Sequence, residues 1–281
     1  MKMPFFSFIC TLSLSLSVWA SDPLVETGPN GSIDWSQGYV EATGQGTSRY
    51  MGNRIQEELM AKQAARTTAQ ARLLEQVNGI RLTGLSTLGA HSQSDTRAAT
   101  RIKGTLKGAK TVSETAIWHK DESSRRGEVV LAEITLRLCV SPSCRETSDD
   151  LTTASLAETP PNTKQTEKAP SVETTGPTAV IIDLNKALYL PALAPEVIDE
   201  NDVIVYSQDM VSEEAVREKG LIHYTKTVDQ AKTLSISGKS PVVLTAKRIT
   251  KDNRIVLSQN DGQTLSGLPA AKLGRVIVAL D

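Results

Sequence analysis

Three short runs of the chain carry residue types that could do chemistry. The first, Ser237-Gly238-Lys239-Ser240, matches the end of a phosphate-binding loop. In such a loop, backbone N–H groups and a lysine hold phosphate oxygens, and a helix starts directly after it. The motif needs another glycine where the chain has Thr233, and Pro241 with a strand-like run follows it. We therefore do not predict a nucleotide site here.

The second run is Gly44-Gln45-Gly46, which lies between a strand-like segment and an alanine-rich one. Dinucleotide-binding folds also join a strand to a helix through G-x-G, but Arg49 replaces the third glycine of that motif. Two glycines one residue apart allow positive φ and a sharp change of direction. Gly44 and Gly46 are therefore predicted to be turn glycines, at the point where the strand ends.

The third run is an acidic turn that contains Glu196, Asp199, Glu200 and Asp202. A calcium loop of the EF-hand kind needs oxygen ligands at alternating positions and a glycine at its bend. The alternation here is partial and the glycine is missing. A solvated turn is the preferred interpretation, and calcium binding is kept as a second hypothesis.

Other reactive side chains do not form a recognisable site. His91, His119 and His223 lie in three separate segments, and none has a His or Cys partner at metal-ligand spacing. The chain has neither a G-x-S-x-G elbow nor an H-E-x-x-H helix. A catalytic triad assembled from residues far apart in the sequence leaves no motif of fixed spacing, so the absence of such motifs does not test it. The sequence predicts no enzymatic activity, no cofactor and no metal site.

Residues 1–20 have the pattern of a secretory signal peptide, with Lys2 before an apolar run from Phe5 to Leu16. Small side chains near position 20 favour cleavage before Ser21. A membrane anchor is the alternative, but the apolar run falls short of the ~20 residues that a span needs. Cys10 follows Ile9, which is not the small residue expected before a lipidated cysteine. We therefore expect export to the periplasm or the outer-membrane periphery.

Cys139 and Cys144 remain after removal of the signal peptide, and in an exported chain we predict that they form a disulfide. Their spacing excludes a redox C-x-x-C motif, and no two further ligands of suitable type are adjacent for a metal site. Because the closed loop is short, its stabilising effect through the unfolded state is expected to be small.

Composition limits the classes of partner. The formal net charge is −1 and only 4% of residues are aromatic, so neither a basic excess nor a stacking platform for nucleic acid is present. No stretch beyond the signal peptide is long and apolar enough to cross a bilayer. Nucleic acid is therefore not an expected partner, and no transmembrane segment is expected in the mature chain.

The elements that position these residues begin with a predicted strand, Ile33–Thr43, and a predicted helix from about Asn53 to Asn78, ended by Gly79. The helix is expected to bury one mostly small-residue face against a sheet. The residues predicted on that face are Met60, Ala61, Ala64, Thr68, Ala71 and Leu74.

This stretch resembles the lipoprotein-20 family of bacterial envelope proteins and the N-terminal domain of flagellar assembly protein T. The resemblance covers roughly Ser32 to Val140. It is carried by Ile33, Trp35, Gly38, Val40, Ala42, Gly44 and Gly46, by the Ala61–Ala65 helix motif, by Ala71-Arg72-Leu73-Leu74 and by Val77-Asn78-Gly79-Ile80. It implies a small envelope component without known enzymatic chemistry. Some proteins of this kind are tied to flagellar rings or to the outer membrane.

The remaining sequence divides the chain further. A loose leader is expected at 21–31, a first domain at 32–144 that ends in the hairpin Thr111–His119 and Val129–Val140, and a flexible linker at 145–177. A C-terminal domain is expected at 178–281.

Two nearly continuous apolar runs, Ala179–Ile182 and Arg275–Leu280, are typical of central strands in that last domain. Further strands are predicted at Val203–Tyr206, Val242–Arg248 and Ile255–Leu257, and helices at Glu213–Lys219 and Val228–Leu234. The phrase that includes Leu190–Pro195 also looks like a C-terminal module of exported proteins of the same family, with no known activity.

Together these patterns predict an α+β protein of two small domains. The predicted function is a non-enzymatic envelope protein that acts by protein–protein contact, as an accessory to an outer-membrane or flagellar assembly. Its predicted partners are other envelope proteins, with association to the outer membrane as one possibility. The alternative is a periplasmic module that binds a small molecule, a glycan or an ion.

Overall fold

A computed structural model describes residues 24–90, 108–142, 144 and 176–281. The predicted signal peptide with Cys10, the start of the predicted leader, His91 and the predicted linker from 145 to 175 lie outside these residues. The described chain is α+β, as predicted, with an N-terminal unit (24–144) and a C-terminal unit (176–281).

The N-terminal unit combines one long helix with strands on either side of it in sequence. Their bounds are β1 (Val25–Gly28), β2 (Gly31–Asp34), β3 (Tyr39–Thr47), α1 (Arg54–Gly79), β4 (Arg81–Thr83), β5 (Ser86–Thr87), β6 (Lys110–Lys120) and β7 (Glu128–Cys139).

Five of these strands form one antiparallel sheet in the order β1-β2-β3-β7-β6, and α1 lies across β3 and β7 on one face. The predicted β6–β7 hairpin is confirmed. The alternate residues of β7 from Val130 to Leu138 are buried under α1. Asn53 starts the helix because its side chain accepts a hydrogen bond from Ile55 N at 2.9 Å.

The prediction that Gly44 and Gly46 form a turn is wrong. Both lie inside β3, paired with Ile134 and Ala132 of β7, and neither has a positive φ. Their role is close packing. A Cβ added to Gly44 would lie 2.7 Å from Ala69 Cα, and one on Gly46 would lie 2.6 Å from the Ala61 carbonyl oxygen. The two glycines therefore let the backbone of α1 lie directly on β3.

The predicted buried face of α1 is also wrong in part. The buried residues recur every fourth position as Ala61, Ala65, Ala69, Leu73 and Val77, whereas Met60 and Leu74 remain 49% and 37% exposed. The prediction placed the large side chains of Met60 and Leu74 on the buried face. Where the helix touches the strand backbone, only alanine fits, and larger apolar residues are left at the sides.

The predicted leader and first strand also differ from the structure. Val25–Gly28 forms the edge strand β1, which pairs with β2 through the two-residue turn Pro29-Asn30 and is therefore not a loose leader. The predicted strand Ile33–Thr43 is divided into β2 and β3, because the Asp34 carboxylate accepts from Ser36 N and Gln37 N, both at 2.9 Å, and holds a turn.

The C-terminal unit alternates short strands with short helices. Their bounds are β8 (Val180–Asp183), β9 (Val197–Ile198), β10 (Ile204–Tyr206), α2 (Glu213–Lys219), β11 (His223–Thr225), α3 (Val228–Thr233), β12 (Val242–Thr245), β13 (Arg248–Ile249), β14 (Ile255–Val256), α4 (Gln259–Gly267), α5 (Pro269–Lys272) and β15 (Val276–Ala279).

These strands form two four-stranded sheets, β10-β9-β14-β13 and the all-parallel β11-β15-β8-β12. The two apolar runs predicted as central strands are β8 and β15, at the middle of the parallel sheet, which confirms that prediction. Helix α2 has the predicted bounds and ends at Gly220, whose φ is +84°. Helix α4 was not predicted, because it has few apolar residues.

The two units contact one another directly. Leu193 N donates to the Arg81 carbonyl oxygen at 2.9 Å and Ala194 N donates to that of Leu82 at 2.7 Å, so the segment after β8 runs beside β4. One cluster of buried side chains continues through both units. The sequence predicted two domains but not this contact.

Candidate functional site

The junction between the units is centred on Trp35 and Tyr224. Trp35 lies in the turn between β2 and β3, and Tyr224 lies in β11. Their rings meet edge to face with centroids 5.8 Å apart and an interplanar angle of 76°. Trp35 is 7% exposed and Tyr224 is 4% exposed. Such an aromatic pair joins the units through apolar contact with a defined geometry.

The Leu190–Pro195 segment is held against Tyr224 by hydrogen bonds between its backbone and the Tyr224 hydroxyl. The Tyr224 hydroxyl donates to the Ala192 carbonyl oxygen at 2.7 Å and accepts from Ala192 N at 3.0 Å. Burial raises the pKa of Tyr224 well above its ordinary value, and burial raises the pKa of the neighbouring Tyr189 to about 12. Both phenols therefore stay protonated at neutral pH, and they act as structural groups there rather than as bases.

A polar network surrounds the Trp35 edge of this junction. The Trp35 indole N–H donates to Glu26 at 3.1 Å, and Arg81 donates to Glu26 and also, through Nε, to the Pro191 carbonyl oxygen at 2.9 Å. Burial raises the pKa of the Glu26 carboxyl, but the hydrogen bonds from Arg81 and Trp35 together outweigh it and hold that pKa below its ordinary value. Glu26 therefore links β1, β4 and the C-terminal unit in its ionised form.

Acidification is expected to weaken this network. Because the Glu26 pKa is lower in the folded chain than in the unfolded chain, its stabilising effect is present above the unfolded value of about 4.3 and is lost as pH falls through the folded value. We expect the free energy of unfolding to fall below about pH 4, and to fall less steeply in Glu26→Gln. Urea denaturation across this pH range measures both slopes. The exposed loop residue Glu122, changed to Gln, is the control, and equal slopes in the native and Glu26→Gln chains would contradict the expectation.

A cleft of about 360 Å3 opens at the junction, between the two units. Most of its wall is apolar or backbone, and its polar side chains are few. Its lining residues are Trp35, Gly38, Leu82, Val140, Ser141, Pro142, Ala192, Leu193, Ala194, Gln208, Val216, Gly220, Leu221, Ile222, His223 and Tyr224. Such a wall suits an apolar group.

The predicted disulfide borders this cleft. Cys139 and Cys144 are bonded, with their Cα atoms 5.4 Å apart, which confirms the pairing. The short loop that it closes contains Ser141 and Pro142, and a Cβ on Gly220 would lie 3.3 Å from Pro142 Cδ. The disulfide therefore holds one wall of the cleft next to the end of α2.

A second cavity, of about 320 Å3, lies on the other side of His223. We call it the Lys219–Arg275 cavity, after two cationic side chains that line it. Its lining residues are Ser36, Glu218, Lys219, His223, Leu234, Ser235, Ile236 and Arg275. No motif in the sequence brought these residues together.

The other residues that the sequence singled out do not converge on a site. Asp199 accepts hydrogen bonds from Asn201 N and Val203 N and so stabilises its own turn, while Glu200 is paired with Lys247 at 2.8 Å. In the described residues, no three His, Cys, Asp or Glu side chains are placed to hold a metal ion. The Ser237 hydroxyl donates to the Ala231 carbonyl oxygen and is buried, and no helix follows it.

An exposed surface on the N-terminal unit is a second candidate, and it was not predicted. Strand β6 is an edge strand of eleven residues, exposed except at Ala116 and Trp118, and over the described ranges only β7 pairs with it. Lys62 and Arg66 of α1 contact Glu114 of β6 at 3.4 and 3.2 Å. We call β6 with the outer face of the first turns of α1 the α1–β6 edge.

Ile117 of β6 is 58% exposed on the face of the sheet away from α1, since it pairs with Leu131 rather than with the residues of β7 that α1 covers. On the outer face of α1, Ile55 and Leu59 are 71% and 61% exposed. Below them the Glu57 carboxylate is 4% exposed and accepts from Arg126 at 2.9 Å. The hydrogen bond from Arg126 is the main reason that the pKa of Glu57 lies below its ordinary value. This contact ties the β6–β7 loop to the helix.

Across the parts of the chain that the structure describes, no helix combines the length and the apolar character needed to span a bilayer. Comparison with curated proteins finds no match. Residues 179–281 are similar to a protein family described as the second domain of Treponema pallidum Tp0624. This similarity supports the predicted C-terminal module. It does not extend to residues 32–140, whose resemblance stays a prediction.

Proposed function

We propose that this protein is an exported, non-enzymatic component of the bacterial envelope that acts by protein–protein contact through the α1–β6 edge. The observation that carries the proposal is the long exposed edge of β6. An edge strand presents unpaired N–H and C=O groups, and proteins usually shorten or cover such edges. An exposed strand of eleven residues is therefore a template for an extended segment of a partner.

The exposed side chains on the same edge support this function. Ile117 of β6 adds apolar surface beside the backbone edge, and Ile55 and Leu59 add apolar surface on the neighbouring helix. Backbone pairing supplies affinity in strand addition, and neighbouring side chains supply specificity. The ion pairs between α1 and Glu114 hold helix and strand as one surface, so that a partner meets a preformed site.

The proposed location comes from the sequence. The signal-peptide pattern of residues 1–20 and the resemblance of residues 32–140 to lipoprotein-20 and flagellar assembly T proteins favour the periplasm or the outer-membrane periphery. They favour an accessory role in an outer-membrane or flagellar assembly. Export is tested by the mass of the protein from cell fractions, which should begin at Ser21. Recovery of the full-length chain from the cytoplasm would contradict the proposal.

The contact surface is tested by site-specific photo-cross-linking in cells. A photoreactive residue at position 117 or 59 is expected to give a defined adduct with an envelope protein. The matched control is position 273, since Leu273 is 45% exposed but lies on the C-terminal unit. Adducts of the same mass and yield from position 273 would show that the α1–β6 edge is not the contact surface.

A charge placed on the edge should remove the adduct without unfolding the protein. Ile117→Lys is expected to abolish cross-linking from position 59 and to change the free energy of unfolding by less than about 0.5 kcal/mol, because the side chain is exposed. Leu273→Lys is the control and should leave the adduct unchanged. Undiminished cross-linking in Ile117→Lys would contradict a contact through β6.

A further inference from the structure

The Lys219–Arg275 cavity is lined by two cations that form no ion pair with a described carboxylate. Lys219 is the last residue of α2 and Arg275 directly precedes β15, and both are half-buried. In the described part of the chain, no carboxylate lies within 4.0 Å of either cation. Glu218 also lines the cavity, but it is exposed and does not pair with them.

The two cations are partly removed from water, and no carboxylate among the described residues pairs with them. The only hydrogen bond from the Arg275 side chain among the described residues goes to the Thr178 carbonyl oxygen, at 3.3 Å, which fixes the guanidinium and leaves most of its donors for another acceptor. Guanidinium and ammonium groups at one concave site match the oxygens of a carboxylate or a phosphate.

The cavity is also lined by two aliphatic side chains. Leu234 and Ile236, which follow α3, are half-buried there and pack on the parallel sheet. The Ser235 hydroxyl lies between them in sequence and supplies a neutral donor. A volume of about 320 Å3 is in the range of small-molecule sites. Cations and aliphatic side chains in the same cavity favour a ligand that has both a charged and an apolar part.

We propose that the Lys219–Arg275 cavity binds a small organic anion, with a carboxylate or phosphate group at the two cations and a short apolar chain against Leu234 and Ile236. The cavity belongs to the C-terminal unit, with Ser36 of the N-terminal unit at its rim, and it is separate from the α1–β6 edge. It therefore goes beyond the proposed contact function, and either can fail without the other.

Isothermal titration of the mature chain, residues 21–281, with hexanoate, hexyl phosphate and inorganic phosphate at constant ionic strength tests the site. Saturable binding of hexanoate or hexyl phosphate is expected, and the tighter of the two identifies the head group. Inorganic phosphate is expected to bind more weakly, because it lacks the apolar chain. Failure of both organic anions to bind, or equally tight binding of inorganic phosphate, would overturn the proposal.

Variants locate the binding. Lys219→Gln and Arg275→Gln are each expected to weaken binding at least about tenfold, which corresponds to 1.4 kcal/mol. Lys272→Gln, an exposed lysine in α5 outside the cavity, is the matched control and should bind like the native chain. Since Arg275 also holds Thr178, Lys219→Gln decides the result if Arg275→Gln does not fold. Unchanged affinity in Lys219→Gln, or an equal loss in Lys272→Gln, would place the anion elsewhere.

Discussion

Alanine at position 44 or 46 is expected to destabilise the N-terminal unit by about 3 kcal/mol or more, at the upper end of what overpacking costs. An added Cβ on either residue of β3 would enter the backbone of α1, close to Ala69 for Gly44 and to Ala65 for Gly46. Backbone atoms of a helix cannot rotate aside as a flexible side chain can. The whole helix would have to move away from the sheet, which would loosen its contacts with β7 as well. Urea denaturation followed by circular dichroism measures the loss.

Gly79 provides the control for this experiment. It is the last residue of α1, its φ is not positive, and an added Cβ would meet no atom within 4 Å. Gly79→Ala is therefore expected to leave stability unchanged or to raise it by up to about 1 kcal/mol, through helix propensity and a less flexible unfolded chain. If Gly44→Ala unfolds at the same urea concentration as Gly79→Ala, α1 does not lie on β3 as described.

Removal of the Trp35 side chain is expected to cost about 3–5 kcal/mol, the usual range for a buried Trp changed to Ala. Trp35→Ala would lose the contact with the Tyr224 ring and the indole hydrogen bond to Glu26. Because these contacts join the two units, the loss should also separate their unfolding. We expect one calorimetric transition for the native chain and two for Trp35→Ala.

Trp118 is the matched control for the size of the side chain. It lies in β6 of the same unit, is half-buried, and is covered by the Arg54 guanidinium at 4.3 Å from the ring centroid. Trp118→Ala is expected to cost less and to leave a single transition, because Trp118 does not contribute to the junction. A single, unshifted transition in Trp35→Ala would show that the units do not depend on each other through this residue.

Those elements with local signals could be predicted from the sequence. Asn53 and Gly79 indicate the ends of α1, alternation indicates β7, and apolar runs indicate β8 and β15. Helix α4 was missed because its signal is a capping pair rather than an apolar face: Ser258 accepts from Asp261 N at 3.1 Å.

The role of Gly44 and Gly46 could not be predicted in the same way. Glycine serves both where φ is positive and where another backbone comes close, and the sequence pattern is the same in both cases. Only the position of α1 above β3 distinguishes the two. The i, i+4 alanines of α1 were the complementary signal, and they are informative only when read together with the glycines.

The candidate sites could not be predicted from the sequence, for a different reason. Trp35 and Tyr224 come from different units, and so do Arg81 and Pro191, and no periodic pattern relates them. Lys219 and Arg275 line one cavity only because the fold brings the end of α2 next to the start of β15. The net charge of −1 does not indicate this local positive charge, which can be recognised only from the fold.

The junction at Trp35 and Tyr224 is formed within one polypeptide, since residues 145–175 connect the two units covalently. Its occupancy is therefore independent of protein concentration, and it needs far less intrinsic affinity than a complex of separate chains. A single proteolytic cut between 145 and 175 would turn the same surfaces into a bimolecular complex that dissociates on dilution. A protease acting on this connection would thus change the lifetime of the junction while leaving every one of its contacts in place.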